Sequence, residues 1–195
     1  MAQRFLRETT AEVLFDDFSR GLYSTDASIY QIKPLGVVVP KTEEDVLATL
    51  GIANDAGVSV TMRGGGTSQC GQTVGEGIIV DVSKHLNRLI SVDPETRRAV
   101  VQPGIVLDQL NALLKPHGLF FPVDVSTSSR ATIGGMTANN SCGARSIRYG
   151  KMVDNVRAVD AVLADGNQMH FGEWGNGTAT APEWQQQLGD KLLEL

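Results

Sequence analysis

Two glycine-rich segments hold the residues best suited to chemistry: RGGGTSQCGQ at 63–72 and SSRATIGGMTANNSCGARSIRYG at 128–150. Each bares a run of backbone and sets small hydroxyl and amide side chains beside it. Main-chain N–H groups presented this way can hold a pyrophosphate, because glycine lets the chain curl into an anion nest and approach a phosphate closely. Two such segments, each beside an expected strand end or helix start, predict a large phosphate-bearing cofactor gripped from both sides.

In the first segment, Gly64, Gly65 and Gly66 would form the nest, with Thr67 and Ser68 as further donors. No Lys-Ser/Thr pair follows, so the terminal phosphates of ATP or GTP have no lysine to meet them. The GxGxxG spacing and downstream acid of a nicotinamide fold are also missing. A plain turn needing positive φ is the alternative. In the second segment, Thr132 caps a short helix whose first turn carries Gly134 and Gly135. Exposed N–H groups there would make an anion site strengthened by the helix dipole. Asn139, Asn140 and Ser141 would meet the polar edge of a heterocycle. The competing reading is close helix–sheet packing through small residues.

These segments need a scaffold. Residues 9–18 predict a helix capped by Thr9 or Thr10, with Val13, Leu14 and Phe18 on one side. A polar, turn-rich stretch at 23–28 follows. Residues 35–39 read as a buried strand ended by Pro40, and Thr42 with Glu43, Glu44 and Asp45 starts a helix running toward Asp55. Gly57 ends it, 58–62 is a strand leading into the first glycine loop, and 78–82 is another. Farther on, 89–92 and 99–102 form a hairpin about Asp93-Pro94-Glu95-Thr96. Residues 106–115 make an amphipathic helix, and 156–163 with 168–171 make a second hairpin about Asp165-Gly166-Asn167. The expected class is α+β: a small parallel β-α-β lobe at 35–83 and a larger, mainly antiparallel sheet with helices at 84–172. A helical segment at 1–34 precedes them. A loop and a helix at 173–195 follow, the latter with Leu188, Leu192 and Leu195 needing a surface to pack on.

The chain has 195 residues, enough for one sizeable core or two small lobes. Its 42% hydrophobic and 20% charged residues are ordinary for a soluble globular protein. A net charge of −5 with no Lys/Arg cluster argues against nucleic acid as partner. No apolar run approaches a membrane span, and the acids near the start rule against a signal peptide. Cys70 and Cys142 lack metal or disulfide spacing, which points to a reducing cytoplasm. No metal site is expected.

The stretch 35–166 resembles the FAD-binding domain of the vanillyl-alcohol oxidase/p-cresol methylhydroxylase flavoproteins. The resemblance is strongest to the branch of D-lactate, glycolate and D-2-hydroxyglutarate dehydrogenases. It is carried by GVVVP with its capped helix, RGGGTS, Pro122-Val123-Asp124, TIGGMTANNSCG, Tyr149-Gly150 and VDAVLADG, in that order. NNSCGARSIRYG and STDASIYQI resemble long members that also carry iron–sulfur segments.

The resemblance implies FAD held between two lobes. Arg63, Gly64, Gly65, Gly66, Thr67, Ser68 and Gln72 would lie on the pyrophosphate side. Pro122, Thr132, Gly134, Gly135, Ala138, Asn139, Ser141, Gly143 and Tyr149 would line the other. Thr67 stands where many relatives place a flavin-linking histidine, so non-covalent FAD is implied. Cys142 reads as a small buried packing residue rather than a flavin link. His85, His117 and His170 read as surface or turn residues, and Arg145 and Arg148, like Arg63, as weak candidates for phosphate or the flavin edge.

The implied activity is oxidation of a small 2-hydroxy acid, with electrons leaving to an external acceptor or an iron–sulfur module. The alternatives are an electron-transfer flavin subunit and a reductase of a UDP-sugar enoyl ether. Relatives continue into a substrate cap that supplies most catalytic residues. This chain is therefore expected to be an inactive fragment on its own, with no catalytic residue and with any iron–sulfur cluster lying elsewhere. The implied location is the cytoplasm, with the periphery of the inner membrane as the second choice.

Overall fold

The computed structural model describes residues 1–172 together with Glu183, Gln187, Gly189 and Lys191. They belong to two compact units, Met1–Asn155 and Val156–Leu195. The segment expected as the second lobe contributes to both.

In the first unit the apolar runs GVVV and IIVD, fully buried, build a four-stranded sheet in the order β1-β2-β4-β3. Its strands are β1 (Glu12–Leu14), β2 (Gly36–Val39), β3 (Val60–Arg63) and β4 (Ile78–Asp81). Parallel pairs join β2 to β4 and β3 to β4. A parallel centre buried on both faces is what continuous Val/Ile runs favour. Val38, Ile78 and Val80 pack with Phe5 of α1 (Ala2–Glu8) and Ile52 of α3 (Glu43–Asp55). Val37, Val39 and Ile79 face the other way, toward Leu14 and Tyr23. Thr42 and Asp45 close a reciprocal capping box at the start of α3, and Gly57, at φ 63°, follows its end.

The helix expected over 9–18 does not form. Thr9 instead ends α1, residues 12–14 become β1, and Asp16 caps α2 (Asp17–Leu22). Two forces outweigh the local helical pattern. Val13 and Leu14 gain an antiparallel ladder on Val38 and Val37. The buried Asp45 carboxylate also holds the Thr10 amide at 2.7 Å and its hydroxyl at 2.9 Å, which fixes a turn where the helix would have continued.

Beyond the sheet, β5 (Leu89–Asp93) and β6 (Arg98–Val101) form the expected hairpin, with Asp93 accepting the Glu95 amide at the turn. Helix α4 (Leu107–Leu114) buries Leu107, Leu110 and Leu114. Short helices α5 (Ile133–Ala138), α6 (Ser146–Tyr149) and α7 (Met152–Asn155) complete the unit. In the second unit, β7 (Val159–Val162) pairs antiparallel with β8 (Gln168–Phe171). The class is α+β. Among the described residues the later strands are all antiparallel, one hairpin in each unit. The tail is helical at Glu183, Gln187, Gly189 and Lys191. The loop expected at 173–182 and the leucines Leu188, Leu192 and Leu195 lie outside the described residues.

Candidate cofactor site

The first glycine loop leaves the sheet directly after β3. Gly66 takes the left-handed conformation at φ 64°, which a side chain would strain. The main-chain N–H groups of Gly64, Gly65, Gly66, Thr67 and Ser68 donate to no acceptor among the described residues. Just past them, the Ser68 hydroxyl accepts the amides of Cys70 (3.2 Å) and Gln72 (3.4 Å) and bonds the Gln72 side-chain oxygen. Ser68 and Gln72 thus close the loop and leave the preceding donors available.

The second segment meets the first in direct contact. A Cβ on Gly64 would collide with the Thr132 hydroxyl, and one on Gly65 with the Arg130 carbonyl. Both glycines are therefore required for loop-on-loop packing.

The anion site expected at the start of α5 is not present. The Ile133 amide donates to the Ile105 carbonyl at 2.9 Å and the Gly134 amide to the Pro103 carbonyl at 2.8 Å. The Gly135 amide donates to the capping Thr132 hydroxyl at 3.4 Å. With all three engaged, the helix start offers an anion nothing. Gly134 serves packing: its Cβ would sit 2.6 Å from the Pro103 Cβ. What α5 does present is an exposed side of small and amide residues, Gly135, Ala138 and Asn139, spaced three and four apart on one helix face. The Asn139 side-chain NH2 donates to the Ser141 hydroxyl at 3.3 Å.

Residues 121–124 and 141–149 pack together. Gly143 lies against the Asp124 carbonyl, where no Cβ would fit, and its amide donates to the Ser146 hydroxyl at 3.0 Å. The Arg145 amide donates to the Asp124 carboxylate at 2.9 Å. Pro122, Asp124 and Arg145 line a cavity of ≈ 200 Å³ together with Asn111 and Ser128. Tyr149 meets Phe120 edge-on at 5.9 Å, and the Arg148 guanidinium lies 5.4 Å from the Tyr149 ring. Cys142 is exposed, not buried as expected, because its neighbours Ser141 and Gly143 are the ones tied inward, to Met136 and Asp124. His85, His117 and His170 are exposed. His85 contacts the Glu12 carboxylate at 2.6 Å, and His170 contacts that of Asp160 at 2.7 Å.

Sequence reasoning missed what lies around the first loop. The turn-rich stretch after α2 folds back on itself, with the Ile32 amide on the Ser24 carbonyl (2.8 Å) and a bridge between Thr25 and Gln31. From there the Ala27 amide reaches the Gly66 carbonyl at 3.2 Å. Arg63 turns its guanidinium toward main-chain carbonyls: Thr25 at 2.8 Å, Thr73 at 3.2 Å and Tyr23 at 3.5 Å. Tyr23 donates its hydroxyl to the buried Asp81 at 2.7 Å, and burial followed by this bond pushes the phenol well above its usual pKa. Asp26 next to Ser28 was a legible Asx-turn signal, but nothing local says which loop such a turn will cover.

Residues 34–172 match the family described as FAD binding domain. The chain belongs to that family. The FAD-binding chain is 44% identical over 162 residues to a D-2-hydroxyglutarate dehydrogenase of Pseudomonas putida, covering 82% of itself and 16% of that protein. It is 38% identical over 163 residues to the glycolate oxidase subunit GlcD of Bacillus subtilis, covering 81% of itself and 34% of the subunit. With a D-lactate dehydrogenase of Archaeoglobus fulgidus it shares 40% identity over 138 residues, 70% of this chain and 30% of the other. The chain thus spans a third or less of the dehydrogenases and about a third of the oxidase subunit. Among solved structures, an alkyldihydroxyacetonephosphate synthase superposes with TM-score 0.79 at 22% identity, over 92% of this chain and 36% of that one. The BBE-like 1 protein of Physcomitrella patens gives 0.78 at 22% identity, over 90% and 38%. These likenesses establish the FAD-binding fold. The first loop fits a dinucleotide's pyrophosphate: a row of N–H groups unengaged among the described residues, with glycine at the left-handed position.

Proposed function

We propose that this chain is the FAD-holding part of a flavin-dependent oxidoreductase acting on a small 2-hydroxy acid. The observation that carries the reading is the row of unengaged N–H groups from Gly64 to Ser68, set against Thr132 and Arg130. Similarity to proteins named for D-2-hydroxyglutarate, D-lactate and glycolate supports the substrate class.

In this reading Gly64, Gly65, Gly66, Thr67 and Ser68 hold the pyrophosphate through their main-chain N–H groups, with the Thr67 hydroxyl as a further donor. The exposed face of Gly135, Ala138 and Asn139, continued by Ser141 and Gly143, lines the cofactor from the other segment. Pro122 and Tyr149 border it. Thr67 offers no imidazole for a covalent link, so FAD is held non-covalently. Bound FAD supplies the acceptor for the hydride from the acid's α-carbon. The chain's own residues bind and orient the cofactor. Orienting the carboxylate and removing the hydroxyl proton belong to sequence that the relatives carry beyond the matched stretch, as does the route to an external or iron–sulfur acceptor. Two exposed free cysteines suit a reducing compartment, and the reading carries a cytoplasmic location.

Calorimetric titration with FAD and, separately, NADH tests the cofactor. Dye reduction by the longer protein with D-2-hydroxyglutarate, D-lactate and glycolate tests the substrate class. Binding of NADH but not FAD would overturn the first part, and turnover of none of the three acids the second.

A further inference from the structure

Arg63 was expected beside the phosphates, yet its guanidinium faces the protein. It lies under Gly66, whose Cβ would sit 2.6 Å from Nη2, and 5.2 Å from the Tyr23 ring centre. Its Nη groups donate to three carbonyls belonging to two separate segments, Tyr23 and Thr25 on one side and Thr73 on the other. The same two segments are joined again by the Thr73 hydroxyl on the Asp26 carboxylate at 3.0 Å. They meet a third time where the Tyr30 ring covers Gly71, leaving 2.6 Å for a Cβ there. The Ala27 amide then fixes the Gly66 carbonyl at 3.2 Å, orienting the peptide that carries the Thr67 N–H. Residues 23–32 thus form a strap that grips the glycine loop on the side of its carbonyls. The N–H groups of 64–68 are left without an acceptor among the described residues.

Resting on the FAD reading above, we infer that Arg63 is a positioning residue: it fastens the 23–32 strap to the cofactor loop so that the loop's N–H groups converge before the phosphate arrives, and it is not itself a phosphate ligand. A planar guanidinium with a fixed fork spans carbonyls on two segments at once. An ammonium is a point charge that keeps the field but cannot bridge them. Preorganised donors bind more tightly because their ordering cost is met before the ligand arrives.

The test is Arg63→Lys, read by amide hydrogen exchange without cofactor and by calorimetric titration with FAD. Exchange at Ala27, Ile32, Gln72 and Val74 should quicken by about tenfold or more, with Ile79 and Val80 in β4 unchanged, since local opening is separable from global unfolding. FAD affinity should fall by about tenfold as well. Lost affinity with unchanged exchange would make Arg63 a direct ligand and overturn the inference, as would retention of both. If Arg63→Lys also loosens β4, Thr73→Val decides, because it cuts the strap at Asp26 and leaves the cation intact. Faster exchange at Ala27 with weaker FAD binding then sustains the inference, and full FAD affinity despite a loosened strap overturns it. Failure of the unaltered protein to bind FAD would sink the cofactor reading, while the exchange arm still reports whether Arg63 holds the strap.

Discussion

Gly64 and Thr132 touch so closely that any side chain on Gly64 would enter the space of the Thr132 hydroxyl. One step along, Gly65 lies against the Arg130 carbonyl, which cannot rotate aside as a side chain can. Gly65→Ala should therefore destabilise the protein by about 1–3 kcal/mol, the usual range for overpacking. Gly51 is the control: it sits exposed in α3 with open space where a Cβ would go. Gly51→Ala should stabilise by about 0.5–1 kcal/mol. Urea midpoints check both, and equal effects would show that the contact between the loops is not tight.

Asp45 governs acid sensitivity. Burial alone would raise its carboxyl, but the amides of Thr10, Lys41 and Thr42 and the Thr10 hydroxyl outweigh it and hold the group below the usual carboxylate range. A carboxyl depressed on folding stabilises fully above its unfolded value of about 3.9, and the contribution drains away as pH falls through the lower folded value. Asp45→Asn should cost on the order of 2–4 kcal/mol at neutral pH, as charged hydrogen bonds and half a capping box are lost. Denaturation at pH 7 and pH 3 should show this gap narrowing in acid. A constant gap would mean that the charge is not what counts.

The small-residue face of α5 is open to a direct test. Ala138 is exposed, so Ala138→Leu should leave the melting temperature within about 2–4 °C while weakening FAD binding by about tenfold or more. Unchanged affinity would remove this face from the cofactor site.

FAD should leave the protein on denaturation. Thr67 has no nucleophilic nitrogen to hold it, and the exposed Cys142 is the remaining cysteine in the second segment. A fluorescent band surviving a denaturing gel would contradict this, and the same gel with Cys142→Ser would tell whether Cys142 forms the link.

What could be read from the sequence was what local chemistry decides. Thr42 with Asp45 announced α3, Gly57 its end, and the GVVV and IIVD runs their buried strands. The turn at Asp93 needed only its own side chain. The misreadings share one cause, a partner distant in sequence. Val13 and Leu14 are too few to declare a strand and become one only beside Val38 and Val37. Thr132 followed by glycines reads the same whether the helix N–H groups face a ligand or, as here, the carbonyls of Pro103 and Ile105. In the candidate site the first loop's bared backbone was visible in its glycines. Its mechanical support was not, because Tyr23, Thr25 and Asp26 look like an ordinary surface turn until folding lays them against Arg63 and Thr73.

The recognisable family stretch begins at residue 34, yet β1, the strap and two of the three carbonyls that Arg63 holds come before it. A recombination event that moved only residues 34–172 into another gene would transplant the glycine loop without the segment that packs on it. It would also strip an edge strand from the sheet. The heritable module is thus larger than the matched domain at 34–172, and insertions or fusions near residue 30 should be harder for evolution to accept than an exposed turn there suggests.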